Sequence, residues 1–278
     1  MEKITQYSIT YEKPTVTLLQ ESGLGVAEIA GRTCYDSFDK SENTSIKNAM
    51  VTMDTEAINA IEHSALLESL AWVHHHHSII EHASLSYLVQ GTSRGVLQEH
   101  ARHRIQAISV RSTRYTMSSV INAFIASQEA INPFDFFYQI LLNLNLFVII
   151  DEEYLKIEIE SIYKKFMFQY KRNQNFKEES VAKSSLIFLE TYKNNAQELF
   201  NALENGKKKR NVGDGFKHIV TDNWKVDMVI TFNIRSLKNY FELRDSGSAW
   251  FQIQWLAQAM KKVTPFKYLQ LIDKNHKK

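Results

Sequence analysis

One cysteine, three prolines and nine glycines are all that this 278-residue chain holds of the residues that staple or punctuate a fold. Cys34 has no partner, so no intrachain disulfide can form, and the chain reads as one built for a reducing compartment. No glycine occurs between residues 96 and 205, and Pro133 is the only proline there. A stretch so poor in breakers excludes a loop-rich linker. Apolar runs are also short, and none approaches the length of roughly eighteen residues that a membrane-spanning helix needs. The N-terminus MEKITQYSIT is polar and does not read as a secretory leader, so a soluble, cytoplasmic protein without a membrane partner is expected. Charge of one sign is lacking too. The balance of 33 Lys and Arg against 31 Asp and Glu gives +2, which excludes a polybasic protein and makes any basic cluster a local feature.

What is present supports a real core. Hydrophobic residues make up 44% of a chain long enough for one sizeable domain, or for a domain with a large insertion. Residues 83–89 alternate, with Leu85, Tyr87 and Val89 on one side and Ser84 and Ser86 on the other, which predicts a half-buried strand. Gly91-Thr92-Ser93 punctuates, and a helix is expected to run from there to about Arg104. It would set Glu99 beside His103 and His100 beside Arg104. Val226, Met228, Ile230 and Phe232 alternate as a second strand, followed by a helix from about Asn233 with Leu237, Tyr240, Phe241 and Leu243 as core. Between the two lie segments 135–145, 153–170 and 179–205, which carry helical apolar spacing. A helix containing Gly-Arg-Thr-Cys34-Tyr reads as buried, with Cys34 structural rather than catalytic.

The densest chemistry lies in Arg102-His103-Arg104-Ile-Gln-Ala-Ile-Ser109-Val-Arg111-Ser112-Thr-Arg114-Tyr115. Guanidinium forks bind phosphate bidentately and stay charged at any working pH, so four arginines in fourteen residues point to an anionic, phosphorylated ligand. Ile105, Ala107, Ile108 and Val110 would anchor the segment in a core. By composition alone the same arginines fit a solvated surface, structural ion pairs or a nucleic-acid face. A second cluster, His74-His75-His76-His77-Ser78-Ile79-Ile80-Glu81-His82, offers imidazoles and a carboxylate as zinc would want. Three residues separate His77 from Glu81-His82, whereas the His-x-x-Glu-His peptidase motif needs two. A third piece, 233–244, places Arg235 and Asn239 four apart on one helix face, where both can reach one ligand.

Order and spacing go further than composition. Arg-His-Arg, seven residues, then Ser and an Arg two further on resembles the signature of the flavin-dependent thymidylate synthases. His76-x-Ser78-x-x-Glu81-His82 resembles that family's His-x-Ser/Thr-x-x-Glu-His. The piece 233–244 resembles its Asn-x-Arg-Ser-Leu-x-Asn/His-Phe-x-x-Leu-Arg, and all three occur in the family's order. The resemblance implies an α+β fold, with a central, mainly antiparallel sheet flanked by helices. The whole chain, 1–278, would be a single catalytic domain enlarged by a helical insertion within about 120–208. It implies FAD as cofactor, with NADPH and 5,10-methylenetetrahydrofolate as co-substrates. Deoxyuridylate (dUMP) would be the substrate, methylated without a cysteine nucleophile. A homotetramer with active sites between subunits, and no nucleic-acid partner, complete the picture.

The resemblance also assigns residues. His76, Ser78, Arg102, His103, Arg104, Val110, Asn233, Ile234, Arg235 and Asn239 would hold the flavin, with Glu81 and His82 supporting from behind. Glu99, His100, Ala101, Arg102, Val110, Arg111, Ser112, Thr113, Arg114, Lys217 and Arg244 would bind the nucleotide. Arg244 would be catalytic at the uracil ring, with Ser112 beside it as a hydrogen-bond donor rather than a nucleophile. No metal is implied. Three positions depart from the pattern: Glu99 stands where many relatives have Gln, Val110 where they have Gln or Glu, and Lys217 where they have Arg. Lysine keeps the charge but loses the bidentate fork.

Overall fold

In the computed structural model, which describes residues 1–175 and 216–276, the chain divides into two compact units. The first comprises residues 1–2, 13–110 and 227–278; the second comprises 3–12 and 111–226.

The first unit is built on β3 (Thr15–Glu21), β4 (Ser84–Ser93), β5 (Ala107–Val110) and β6 (Lys225–Asn233), in the order β3-β4-β6-β5. The first two residues of β6 are counted with the second unit. β3 and β4 pair antiparallel from Thr15↔Gln90 to Glu21↔Leu85, and β5 and β6 from Ala107↔Thr231 to Val110↔Met228. Between β4 and β6, the Ser86 and Thr231 hydroxyls meet at 2.8 Å while Asp227 accepts the Gly91 N–H at 2.9 Å. Contacts running in opposite senses make that pair antiparallel as well. The alternation expected of the two long strands is present. Leu85, Tyr87 and Val89 are fully buried, as are Met228, Ile230 and Phe232 across the sheet.

Gly91 does not end β4 as its neighbours suggest. It takes a φ of +73°, open to glycine at no steric cost, and the strand continues to Ser93. The Ser93 hydroxyl then accepts the Val96 N–H at 3.2 Å and caps α5 (Arg94–His100). α5 stops at His100, short of the expected end near Arg104. The Gln106 side chain explains the stop, since its Nε2 donates to the carbonyls of His100 and His103, and so satisfies acceptors that a helix end leaves open.

Three expectations about burial are corrected. Ile105, Ala107, Ile108 and Val110 do not anchor the arginine segment in a core: Ile105, just before β5, is 71% exposed, and the other three stay open to solvent. They do so although Ile108 and Val110 stand opposite the buried Ile230 and Met228, because β5 is the last strand of the sheet and no further strand flanks it. Leu243 is exposed rather than core. Helix α9 (Ile234–Arg244) buries Ile234, Leu237, Tyr240 and Phe241, and Leu243 stands on its opposite flank. Cys34 is exposed on α1 (Gly25–Tyr35). The buried face of that helix carries Glu28 and Arg32 instead. Glu28 accepts from Arg32 at 3.3 Å, Ser41 at 2.7 Å and Asn43 at 2.9 Å, so its buried carboxylate is fully engaged.

Short helices α2 (Thr44–Lys47), α3 (Thr55–Asn59) and α4 (Ala65–Trp72) follow α1. Helices α10 (Phe251–Val263) and α11 (Phe266–Ile272) close the unit, and their apolar faces join α4, α9 and the sheet in one core. Gly25 starts α1 against α3, where an added Cβ would lie 2.1 Å from the Ile58 carbonyl oxygen.

The second unit has a hairpin of β1 (Lys3–Gln6) and β2 (Ile9–Glu12), turned by Tyr7 and Ser8, both at positive φ. Helices α6 (Thr113–Ser127), α7 (Pro133–Asn143) and α8 (Glu152–Asn175) follow, the last two over the segments predicted at 135–145 and 153–170. Phe124 and Phe216 stack on Phe166 at 5.1 and 4.8 Å in their core. The helix expected at 179–205 lies outside the described residues. Among the described helices none is long and apolar enough to cross a membrane.

Candidate active site

Helix α9 supplies one wall of the site. Asn233 caps it by accepting the Ser236 N–H at 2.7 Å, and the Ile234 N–H donates to the Ala83 carbonyl at 2.9 Å. These bonds fix where the helix begins relative to β4. Its outward face then presents Arg235, Ser236, Lys238, Asn239, Glu242, Leu243 and Arg244 to a cavity of about 830 Å³. The opposite wall comes from the segment after α5, with Arg102, His103, Arg104 and Ile105, together with His77 and Phe232. Five permanent cations thus line a cavity against one carboxylate, Glu242, and apolar side chains from Ile105, Phe232 and Leu243 are interleaved. Such a lining suits a ligand that is anionic in one part and flat or apolar in another.

Arg244 is the best-anchored of these cations. Its Nε donates to His103 Nε2 at 2.8 Å, its Nη1 to Glu99 Oε2 at 3.1 Å and its Nη2 to the Glu99 carbonyl at 3.3 Å. Accepting from arginine requires a neutral His103 with its proton on Nδ1. Burial, with Arg244 and then Arg102 adding repulsion and Glu99 opposing it, brings the His103 pKa down to about 4. Behind it His100 is fully buried. Because Gln106 Nε2 donates to two carbonyls, its Oε1 is the end that accepts from His100 Nε2 at 2.8 Å. His100 Nδ1 is therefore the acceptor for the Tyr240 hydroxyl at 3.2 Å. Desolvation lowers the His100 pKa to about 4 as well, the Gln106 bond opposing and His103 and Arg244 assisting. Burial raises Tyr240, so it stays a protonated donor.

Lys238 has no role in any of the motifs, yet it lines the cavity while being only 5% exposed. Its ammonium lies 3.6 Å from the centre of the Trp72 indole ring and donates to the Ala71 carbonyl at 3.3 Å, at the C-terminal end of α4. The same carbonyl is 3.1 Å from His77 Nε2. A lysine at that spacing on an amphipathic helix reads as surface. Only the packing of Trp72 reveals otherwise.

The structure separates the predicted residues. Arg102, His103, Arg104, Arg235, Asn239 and Arg244 meet at the cavity. Of the histidine run it is His77 that lines it; His76 and Ser78 are exposed outside the lining, with the Tyr35 hydroxyl on His76 Nδ1 at 2.9 Å. Glu81 pairs with Arg235 at the surface. Ile234 is fully buried, His100 and Glu99 stand behind the wall, and Ala101 is exposed. Val110 closes the edge strand. Arg111, Ser112, Thr113, Arg114 and Lys217 belong to the second unit, where Arg111 and Lys217 are exposed, Ser112 is half-buried and Thr113 is buried. The cavity is one of the first unit alone. Among the described residues no group of three His, Cys, Asp or Glu side chains is gathered to hold a metal ion.

Fold and cavity together define an α+β protein with an antiparallel sheet and an arginine-rich pocket beside it. The chain belongs to the thymidylate synthase complementing protein family, whose model matches residues 17–265. It is 29% identical over 261 residues to the flavin-dependent thymidylate synthase of Wolinella succinogenes, covering 94% of this chain and 98% of that protein. It is 27% identical over 256 residues to the enzyme of the same name from Helicobacter pylori, covering 90% and 93%. The fold is similar to a crystal structure of Thymidylate Synthase X from Helicobacter pylori with FAD and dUMP. The TM-score is 0.59 and the identity 22%, over 95% of this chain and 100% of that one.

Proposed function

We propose that this chain is a flavin-dependent thymidylate synthase, which converts deoxyuridylate to thymidylate with 5,10-methylenetetrahydrofolate as carbon donor. The observation that carries the reading is the meeting of the Arg102–Arg104 segment with Arg235, Asn239 and Arg244 around one cavity, in a chain of this family. When bound, FAD would supply hydride chemistry, with NADPH as the source of electrons, to complete the new methyl group. The residues present fit that cofactor. Arg102, Arg104, Arg235 and Lys238 offer charge to a pyrophosphate, His103 and Asn239 offer hydrogen bonds, and Ile105, Phe232 and Leu243 offer apolar contact to a flat ring system. His76, Ser78, Val110, Asn233 and Ile234 remain flavin-binding residues by motif.

The protein's own part is binding and charge stabilisation. Arg244 faces the uracil and stabilises the negative charge that develops on it during attack through C5. Ser112, with Arg111, Thr113 and Arg114, holds the nucleotide by hydrogen bonds and charge, Ser112 acting as donor, and Lys217 adds a cation. Cys34 does not line the cavity, and no thiolate step is assigned. We place the chain in the cytoplasm as a homotetramer, acting over its whole length as one catalytic domain with a helical insertion within about 120–208.

The visible spectrum tests the reading. Purified protein supplied with FAD is expected to absorb near ~450 nm, to bleach with NADPH and to recover in oxygen. Formation of thymidylate should require folate and deoxyuridylate together. A protein that takes up no FAD, or turns over without it, overturns the proposal.

A further inference from the structure

Arginine has five N–H groups, and Arg244 commits three of them inside the protein. Two of the three go to a single residue, Glu99, through its carboxylate and its main-chain carbonyl. The third goes to His103, four residues along. Anchors on Nε, Nη1 and Nη2 fix the guanidinium plane, because three points define it. Glu99 itself is absent from the cavity lining, which Arg244 reaches. We propose that Glu99 is a positioning residue that acts on the bound pyrimidine through Arg244, holding the guanidinium in one plane with two N–H groups turned to the ligand.

This inference rests on the cavity being the pyrimidine site, and it changes what Glu99 is for. A carboxylate placed directly on the nucleotide would repel its phosphate. Placed behind Arg244 it does not meet the ligand, and it partly offsets the arginine's charge. The fork then acts as a directional donor more than as a loose cation. The side chains are 16% exposed for Arg244 and 36% for Glu99, so the pair is partly withdrawn from water, where charge-assisted bonds hold better. Arg102 also reaches Glu99 Oε2, but at 3.5 Å and from a side chain that is 72% exposed, so it competes weakly. Gln106 completes the support, because its bond to the His103 carbonyl, 2.8 Å, holds the loop that carries the third anchor.

The test is a double-variant cycle on the flavin-loaded enzyme, with deoxyuridylate as the varied substrate. Glu99→Ala and Arg244→Ala are each expected to lower kcat/KM on the order of 100-fold, the usual scale for one lost transition-state donor. The double variant should lose no more than the worse single one, because the two side chains act as a unit. Glu99→Gln keeps an acceptor at the same reach together with the main-chain carbonyl, and should recover activity to within about 10-fold. Flavin content should match wild type throughout. Losses that multiply in the double variant would show that Glu99 acts on the ligand independently. An active Glu99→Ala enzyme with unchanged kcat/KM would remove the role altogether. If Glu99→Ala fails to fold or load flavin, Glu99→Gln decides alone, and a Gln variant no better than Arg244→Ala overturns the proposal. Wild-type protein that binds neither FAD nor deoxyuridylate would instead sink the functional reading itself, before any variant is compared.

Discussion

His100 and His103 make the site's chemistry depend on protonation. Both act as hydrogen-bond acceptors, from Tyr240 and Arg244 respectively, and both have pKa values near 4 in the folded chain against an ordinary 6.5. The unfolded chain therefore takes up protons at these sites first as pH falls. Stability from this source is complete above about pH 6.5 and is lost on descent toward 4. For the fully buried His100 the loss by pH 4 is at most about 3 kcal/mol. The urea midpoint should be level above pH 7 and fall between 6.5 and 4; a midpoint flat across that window would show that these imidazoles are not held neutral by the fold. Several site residues were legible in sequence because their spacing is chemical: Arg235 and Asn239 sit four apart and reach one cavity as a helix demands. Lys238 was not, since its burial depends on Trp72, distant in the chain. His77 was not singled out, because the motif match falls on His76 and the contact of His77 with the cavity depends on where the end of α4 packs.

At the scale of elements, helix α9 shows how local signals and tertiary packing share the work. Asn233 heads it in sequence and caps it in the structure, with its Oδ1 on the Ser236 N–H. Asn233→Ala should lower stability by about 1 kcal/mol, whereas Asn233→Asp, which keeps the capping oxygen, should stay close to wild type. Chemical denaturation of the two variants checks this; equal losses would mean that the cap is not what the residue contributes to stability. The long strands were readable because one face of each is buried, which enforces alternation. β5 was not readable as an edge, since an edge strand's apolar residues look like core residues until the sheet order is known. Cys34 misled for the converse reason: α1 buries a Glu28–Arg32 pair, so its core face is the one that reads as polar. The end of α5 at His100 escaped notice because the Gln106 side chain stops it from six residues away.

At the scale of the molecule, Ile105, Ile108 and Val110, in and just before the edge strand β5, leave apolar side chains partly open to water. Their cover by further copies agrees with the proposed homotetramer, and light scattering should give a mass of four 32.3 kDa chains. A monomeric mass at micromolar concentration would contradict it. The same edge also bounds the rest of the chain. Residues 111–226 leave the sheet just after Val110 and re-enter at β6, where Val110 stands opposite Met228. Departure and return are therefore neighbours on two bonded strands, like the feet of a very large hairpin. Closing such a loop costs only about 0.6 kcal/mol more for each doubling of its length. Insertions or deletions in the excursion, away from residues 111–114 and Lys217, can thus accumulate without shifting the register of β5 on β6.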